Sequence, residues 1–399
     1  MFALTGELNH SKYARLSILM NRQFIPFDDS YRVPADVRVS RGVGTGERLF
    51  ICGQMDLDAE GQARNLGSLR AQSIAAMHLL YDVIERSGFK PEDIVHLHVF
   101  YRSPTDETRY LRDLLDTFPQ CKTALTVLTP VVSYPSAGAE VEIDAIAIKH
   151  ASQRVVTNSG NRVVGHRKGD WIVAQTTPQT SGSLSSQIKA THADLRSTLG
   201  ELGAGLEDVC KVHAYFSPDI DSQALAKAEC ELARDFAEAA PTYHGVVLPA
   251  PFPDGENLRL EVIALDSSLP RKRVTTPWQW PPPICYSQGI RCGDTVFVGA
   301  QFAVSNEAKL SPDSDLAAQT HHSMTNMKAV LNALGMDFDH MTKVNAYFIA
   351  EQDLAQWTTN VAIRSSYYVK PGPASTGIEN LALSVPGALI SVDCIAVDS

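Results

Sequence analysis

The segment Tyr286-Ser-Gln-Gly-Ile-Arg-Cys-Gly-Asp-Thr-Val-Phe-Val-Gly-Ala-Gln301 predicts the fold, because two earlier segments share its pattern. Residues 40–54 end in Phe-Ile-Cys-Gly-Gln54, and residues 165–175 end in Trp-Ile-Val-Ala-Gln175. Each segment has a Gly followed by a polar residue, a short apolar strand and then a Gln. The three glutamines stand 121 residues (54 to 175) and 126 residues (175 to 301) apart. This period has the size of a domain and is too long for a solenoid repeat. The pattern therefore predicts one domain written three times.

Composition narrows the class of protein. A chain of 399 residues exceeds what one hydrophobic core usually serves. The net charge of −10 argues against nucleic-acid binding, which needs a clustered basic surface. The basic run Arg271-Lys-Arg273 is interpreted as part of a solvated linker. No apolar run reaches the roughly 18 residues of a membrane span, and residues 1–20 lack the apolar region of a signal peptide. We expect a cytoplasmic protein that binds neither nucleic acid nor membrane.

The cysteine pattern gives no sign of a disulfide framework. All seven are scattered and none forms a CxxC pair, so the sequence predicts no disulfide framework, no metal site and no cofactor. Four of them lie in or beside apolar strand-like runs, where we expect buried small hydrophobes: Cys52, Cys210, Cys292 and Cys394.

Each repeat has the order β-β-α-β-α-β-β. Apolar positions spaced like Ile74, Met77, His78 and Tyr81 predict a helix from Leu69 to Arg86. Two helices and one sheet per unit indicate an α+β fold with both helices on one sheet face. The predicted organisation is an N-terminal arm (1–38), a first unit (39–150), a second unit (160–266), a Pro-rich linker (267–283) and a third unit (284–399).

From about residue 39 to residue 399 the chain resembles the Rid (YjgF-type) imine deaminase family. Tyr286-Ser-Gln288, Val296-Phe-Val298 and Gln301 carry the resemblance in the third unit. Phe50-Ile-Cys-Gly-Gln54 and Val141-Glu-Ile-Asp-Ala-Ile-Ala147 carry it in the first. The resemblance implies sheets facing inward, helices outside and a site in each cleft between neighbours. The chain would then be an intrachain pseudo-trimer, since three half-covered sheets can bury their free faces around one axis. We expect a monomer or a low-order homo-oligomer.

The resemblance also implies hydrolysis of small imines or enamines. In such enzymes an Arg just after a Pro grips the substrate carboxylate as a bidentate fork. No unit of this chain keeps that Arg: we place Lys122, Tyr243 and Ser375 at its position, with His244 and Glu379 close by.

The family also uses a Glu on the last strand for acid or base chemistry. We align Asp144, Glu261 and Asp393 with it. The structural alternative is that such an acid pairs with a Lys of a neighbouring unit. Two roles are open for the three recurring glutamines. Their side-chain amides could bridge a ligand and a strand, or could form hydrogen bonds with backbone groups at the strand ends: Gln54, Gln175 and Gln301.

The three units have diverged in different directions, so their clefts are not equivalent. We expect one or two clefts to act on a small polar, carboxylated substrate. Lys122 would anchor the anion, one final-strand carboxylate would act as acid or base, and Tyr243 with His244 or Ser375 would shape the pocket. Two alternatives stay open. One is a chorismatase-like hydrolase, since those enzymes look like fused relatives of the same fold, and the other is a non-catalytic pseudo-trimer that binds a metabolite.

Overall fold

The computed structural model describes residues 22–27, 37–102, 106–158, 160–176, 182–252, 255–274, 276, 286–307, 309–310, 314–349 and 353–398. Across these residues the chain forms three units, each a mixed β-sheet with two α-helices. The predicted α+β fold with three tandem copies is confirmed. Most of the predicted N-terminal arm, and residues 277–283 of the Pro-rich linker, lie outside the described ranges. None of the helices in those ranges combines the length and apolarity needed to cross a membrane.

The first unit begins earlier than predicted. Its elements are β1 (Arg22–Ile25), β2 (Gly42–Thr45), β3 (Arg48–Gln54), α1 (Leu69–Arg86), β4 (Ile94–Tyr101), α2 (Glu107–Thr117), β5 (Leu125–Pro130) and β6 (Val141–Ile148). The sheet order is β1-β2-β3-β6-β4-β5, with β4 and β5 parallel. Part of the predicted arm is thus the edge strand β1. Helix α1 has the predicted bounds, and its N-cap Ser68 accepts a hydrogen bond from the Ala71 N–H at 3.2 Å.

The second unit repeats this plan. Its elements are β7 (Ser152–Thr157), β8 (Val163–Lys168), β9 (Trp171–Gln175), α3 (Leu184–Glu201), β10 (Val209–Phe216), α4 (Ser222–Asp235), β11 (Thr242–Val247) and β12 (Leu258–Leu265). Its sheet has one additional strand, at the edge beside β11. Strand β7 lies between the two predicted units and pairs with β8.

The third unit also starts inside a predicted connector. Its elements are β13 (Arg271–Val274), β14 (Gly289–Cys292), β15 (Thr295–Gln301), α5 (Leu316–Ala333), β16 (Met341–Phe348), α6 (Leu354–Tyr367), β17 (Ala374–Glu379), β18 (Ala382–Leu383) and β19 (Ile390–Val397). The basic run is therefore part of the edge strand β13 and not an irregular connector, but Lys272 and Arg273 are exposed, as expected for a solvated segment. Arg271 holds the strand by donating to the carbonyls of Asp208 and Leu265, at 2.8 and 2.6 Å. Strand β18 leaves its own unit and pairs with β11 of the second.

The inner faces of the three sheets meet at a pseudo-threefold axis, which makes the chain an intrachain pseudo-trimer. Phe50 and Phe297 occupy equivalent strand positions, and the ring of Trp171 from the second sheet lies between them, with its centroid 6.0 Å from each of theirs. The outer faces of the first and second sheets pack under their helices in separate apolar clusters, whereas the helices of the third unit pack against the central cluster. The four cysteines of strand-like runs are buried in the same central cluster as these rings, as predicted: Cys52, Cys210, Cys292 and Cys394.

The first and third units meet directly, although they are far apart in the sequence. Ser40 bridges to Ala374, and the Ser40 N–H donates to the Pro373 carbonyl at 3.0 Å. The Arg22 guanidinium donates to the Asp339 carbonyl at 2.6 Å. These contacts close the ring of three units.

Candidate functional site

Two of the final-strand acids form buried ion pairs between units. Asp144 Oδ2 lies 2.8 Å from Lys343 Nζ of the third unit, and Asp393 Oδ1 pairs with Lys211 Nζ of the second. Burial alone would raise the pKa of both carboxyl groups, but the ammonium groups outweigh it and hold both below their usual range. The alternative in which these acids pair with a neighbour's Lys is confirmed for Asp144 and Asp393.

The third acid, Glu261, meets two histidines of the first unit instead of a lysine. His96 Nε2 lies 2.7 Å from Glu261 Oε1, and His98 Nδ1 lies 3.9 Å from Oε2. Burial would raise the pKa of Glu261, but the imidazoles, chiefly His96, hold it below its usual range. We call these three residues the axial histidine site.

His244 belongs to a hydrogen-bonded network beside the axis. Its Nδ1 lies 2.6 Å from Asp393 Oδ2, and its Nε2 lies 2.7 Å from Ser391 Oγ. Burial lowers the pKa of His244 to about 4, although Asp393 acts in the opposite direction. The order Ser–His–Asp is that of a nucleophilic triad. All three side chains are at most 1% exposed, however, so a substrate does not reach the hydroxyl.

The cleft between the first and third units contains a cavity of about 70 Å³. Glu142 and Cys52 line it from the first unit, and Arg364 and Ser375 line it from the third. Apolar side chains complete the wall, among them Phe27, Met55, Leu57, Trp357 and Val361. An acid, a guanidinium and a hydroxyl therefore face one small, mostly apolar space, as ligand sites commonly do.

Glu142 is the acid of this cavity. It lies on β6 two residues before Asp144, so both side chains project from the inner face of the sheet. Burial raises the pKa of Glu142 to about 8, and the nearby charge of Asp144 acts in the same direction. The carboxyl group rests against Gly53, where an added Cβ would lie only 1.5 Å from Oε1. Glu142 is therefore protonated at neutral pH. Residue 53 must be a glycine, because any side chain there would collide with the carboxyl group.

Arg364 is the cation of this cavity. It lies on α6 and is 2% exposed. Its Nε donates to Asn360 Oδ1 at 2.9 Å, and its Nη1 donates to Ser375 Oγ at 3.3 Å. Within the part of the chain that the structure describes, no carboxylate lies within 4.0 Å of the guanidinium. A buried guanidinium with neutral partners is a strong receptor for an anion.

A buried ion pair fills the cleft between the second and first units. Strand register places Arg259 where the first unit has Glu142, since they pair with Tyr215 and Phe100 of the equivalent middle strands. Arg259 Nη2 lies 2.8 Å from Glu107 Oε2 of α2.

Close packing fills the cleft between the third and second units. Ser391 stands at the position of Glu142 and is bonded to His244. An added Cβ at Gly299 would lie 3.1 Å from backbone atoms of Tyr243, so these strands are in close contact.

Lys122 does not line a cleft. Its Nζ lies 3.2 Å from Asp116 Oδ1, and its side chain is 53% exposed. The register of β4 with β5 gives Thr126 the position that Ser375 has in the third unit, so the predicted equivalence of Lys122 was wrong. The reason is a 3-10 turn at Pro119–Cys121, which lengthens the connection before β5 begins.

The other residues predicted at the Arg position have different surroundings. Ser375 lines the cavity and contacts Arg364. Tyr243 does occupy the equivalent position, but it is fully buried, and its hydroxyl donates to Glu229 Oε1 at 2.9 Å. Glu379 joins two units, because its carboxylate accepts a hydrogen bond from Ser133 of the first.

The three glutamines are buried and bond to strand backbone, which fits the structural alternative. The amide nitrogen of Gln54 donates to the Cys52 carbonyl at 3.1 Å, that of Gln175 to the Thr126 carbonyl at 3.2 Å, and that of Gln301 to the Gly299 carbonyl at 3.0 Å.

Sequence reasoning missed both charged residues of the cavity. Glu142 lies two residues before the chosen Asp144, and the alternation of β6 places both on the same face, so it could have been found. Arg364 left no such signal. It lies on a helix that precedes Pro373, whereas the family pattern expects an Arg after the Pro.

Comparisons with known proteins agree with the repeated fold. The model of the family described as Endoribonuclease L-PSP matches residues 31–149 and 280–398, which together exceed half of the chain. The chain belongs to this family. It is the YjgF/Rid family predicted from the sequence motifs, with more than one copy in one polypeptide.

Single-unit relatives align with about a third of this L-PSP family chain. A RutC family protein of Pyrococcus abyssi is 30% identical over 126 residues, covering 31% of this chain and 96% of the relative. The chloroplastic Reactive Intermediate Deaminase A of Arabidopsis thaliana is 27% identical over 135 residues, covering 34% of this chain and 70% of the relative. A 2-iminobutanoate/2-iminopropanoate deaminase of Dermatophagoides farinae is 28% identical over 131 residues, covering 32% and 97%.

One solved structure resembles most of the L-PSP chain. A crystal structure of chorismatase aligns with a TM-score of 0.54 at 12% identity, covering 77% of this chain and 93% of the chorismatase. At that identity the likeness shows the fold alone.

Proposed function

We propose that the cleft between the first and third units hydrolyses a small imine or enamine that carries a carboxylate, with release of ammonia. The observation that carries the proposal is the pairing of Glu142 and Arg364 around one cavity. Glu142 holds a proton at neutral pH, and Arg364 lacks a carboxylate partner among the described residues. The deaminase relatives support an enzyme of this general class.

The reaction divides between these two groups. Arg364 binds the substrate carboxylate and places the C=N carbon beside Glu142. Protonated Glu142 donates its proton to the imine nitrogen, or to the β-carbon of the enamine tautomer. Water then adds to the carbon while the Glu142 carboxylate takes up a proton. Collapse of the carbinolamine releases ammonia and the keto acid, so one imine and one water give one ketone and one ammonia.

The size of the cavity supports a substrate with few heavy atoms. Its volume of about 70 Å³ is well below the roughly 300–1,000 Å³ of sites for drug-sized ligands. It contains one guanidinium, which suits a monocarboxylate better than the dicarboxylate chorismate.

Glu142→Gln tests the proposal. The amide cannot transfer the proton, so we expect turnover of 2-iminopropanoate, generated in situ from L-alanine by an amino-acid oxidase, to fall about 10²- to 10⁴-fold. Ammonia release above the spontaneous rate is the measurement. Ser391→Ala changes the equivalent position of the third unit, which lies in a filled cleft, and should leave turnover unchanged.

Three outcomes would contradict the proposal. Unchanged turnover in Glu142→Gln would remove Glu142 from the reaction. Hydrolysis of chorismate, with no action on imines, would favour the chorismatase-like alternative. Inactivity towards both, combined with thermal stabilisation by a small carboxylate, would favour a binding protein.

A further inference from the structure

The axial histidine site joins the first unit to the second. His96 and His98 project from one face of β4, because they are two residues apart on a strand. Glu261 projects towards them from β12. All three side chains are at least nine-tenths buried. One ligand atom from each can be chosen so that all lie within 4.8 Å of one another.

Among the residues that the structure describes, no lysine or arginine forms an ion pair with Glu261, although Lys211 and Lys343 line the same small cavity. Asp144 is compensated by Lys343, and Asp393 is compensated by Lys211. Register places His96 at the position of those two lysines. Glu261 Oε2 accepts a hydrogen bond from the Tyr215 hydroxyl at 3.1 Å, but a buried carboxylate is still costly without a positive charge, so Glu261 favours a proton or another cation beside it.

The hydrogen bonding at His96 favours a cation other than a proton. Its Nε2 lies 2.7 Å from Glu261 Oε1 and helps to lower the pKa of that carboxyl group, but the contact lacks the alignment of a good hydrogen bond. Both of its ring nitrogens lack a hydrogen-bond partner among the residues that the structure describes, although the side chain is buried. Buried polar atoms of this kind are uncommon and call for a missing partner.

His98 is held ready by its neighbours. Its ring stacks on Phe100 at 3.9 Å between centroids, and its Nε2 lies 2.8 Å from Thr129 Oγ1. Such outer contacts fix the orientation of metal-binding imidazoles in proteins. They leave the Nδ1 atom directed towards Glu261.

We propose that His96, His98 and Glu261 bind one divalent first-row transition-metal ion, with Zn²⁺ as the best chemical match, and thereby clamp the first unit to the second. Two imidazoles and a carboxylate are a common ligand set for such ions. A cavity of about 30 Å³ adjoins the three residues and has room for a water as a fourth ligand.

A second cluster on the axis provides the internal contrast. His213, His244 and Asp393 are equally close together, but all four ring nitrogens have partners and Lys211 already compensates the carboxylate. The same count of ligand atoms therefore does not indicate a second metal site there.

The experiment uses the full-length protein after dialysis against EDTA. Titration with ZnSO4 should bind one equivalent of Zn²⁺ by metal analysis and raise the Tm, because the ligands come from two units. CoCl2 should give the visible absorption of a Co²⁺ site with nitrogen and oxygen ligands. The matched variant His96→Lys with His98→Asn installs the pair that the third unit carries as Lys343 and Asn345. We expect it to fold, to bind Zn²⁺ at least 100-fold more weakly, and to show a Tm that Zn²⁺ does not change.

Two controls keep the test decisive. His321→Ala removes an exposed histidine and should bind Zn²⁺ like the wild-type protein. If the double variant misfolds by circular dichroism, the single substitution Glu261→Gln gives the same test. Wild-type protein that binds no Zn²⁺ or Co²⁺, or a Tm that Zn²⁺ leaves unchanged, would overturn the proposal and favour a proton on the imidazoles. Equal binding by wild type and variant would overturn it as well.

Discussion

Two clefts of this molecule use the same pair of charges in opposite positions. In the first–third cleft, the acid Glu142 lies on a final strand and Arg364 lies on a helix. In the second–first cleft, Arg259 lies on the final strand and Glu107 lies on the helix. Arg259 Nη2 and Glu107 Oε2 lie 2.8 Å apart and form an ion pair, whereas Arg364 donates hydrogen bonds to a neutral amide and a hydroxyl. Having an acid and a guanidinium is therefore not enough for a site, because the pair must also be kept apart.

Breaking the closed pair should give the largest effect. Arg259→Met leaves Glu107 and Glu256 buried without their shared cation, so we expect the free energy of unfolding to fall by about 3–5 kcal/mol. Urea denaturation measures it. Adding Glu107→Leu and Glu256→Gln removes both stranded charges and should restore most of the loss. Turnover per folded molecule should stay unchanged in both variants, and a loss of turnover would make the second–first cleft a catalytic one.

Replacing the guanidinium of Arg364 should give the second-largest effect. Arg364→Lys keeps a positive charge but loses bidentate geometry, so we expect kcat/KM for the imino acid to fall about 100-fold, mainly through KM. Steady-state kinetics measure it, with Arg291→Lys as a control outside the cavity. An unchanged KM would mean that the substrate carboxylate is bound elsewhere.

The turnover in the first–third cleft and the stability of the protein should both depend on the protonation of Glu142. Its pKa of about 8 implies that kcat falls as pH rises above 8, approaching tenfold for each further unit. The folded-state pKa exceeds the unfolded value of about 4.3, so the folded state binds more protons between these values. The contribution of Glu142 to stability is thus present below pH 4 and lost as pH rises to 8. Urea denaturation at pH 5 and pH 8 should show a smaller decrease for Glu142→Gln. An equal decrease would contradict the raised pKa.

The smallest effect is expected at the predicted anion anchor. Lys122 is half exposed and pairs with Asp116 at the surface, so Lys122→Ala should change the free energy of unfolding by less than about 0.5 kcal/mol. It should also leave KM unchanged. A tenfold rise in KM would mean that Lys122, and not Arg364, binds the substrate carboxylate.

The fold was largely predictable because its signals are local and repeated. The apolar period of α1 and the triplicated strand-Gln pattern each predict an element without knowledge of the rest. Edge strands were harder, since β1, β7 and β13 lie in segments whose composition resembles connectors. They are strands because a neighbouring edge offers them hydrogen-bond partners.

The site was less predictable because it depends on contacts between units. Asp144 and Glu142 are both acids on the same face of one strand. Only the partner decides their roles: Lys343 keeps Asp144 ionised, and the apolar cavity keeps Glu142 protonated. Arg364 reaches the cavity from a helix of another unit. No spacing along one repeat encodes such a meeting.

The ring closure between Ser40 and Ala374 has a consequence for biosynthesis. The proposed catalytic cleft lies at the interface whose two units are not consecutive in the chain, so its walls come from segments more than 200 residues apart, one ending at Glu142 and the other beginning at Trp357. On a ribosome, the first and second units can associate while the third is still being made. The cleft assembles only after Arg364 and Ser375 have emerged, and long-range contacts of this kind form slowly. Catalytic competence should therefore appear only after the first two units have associated.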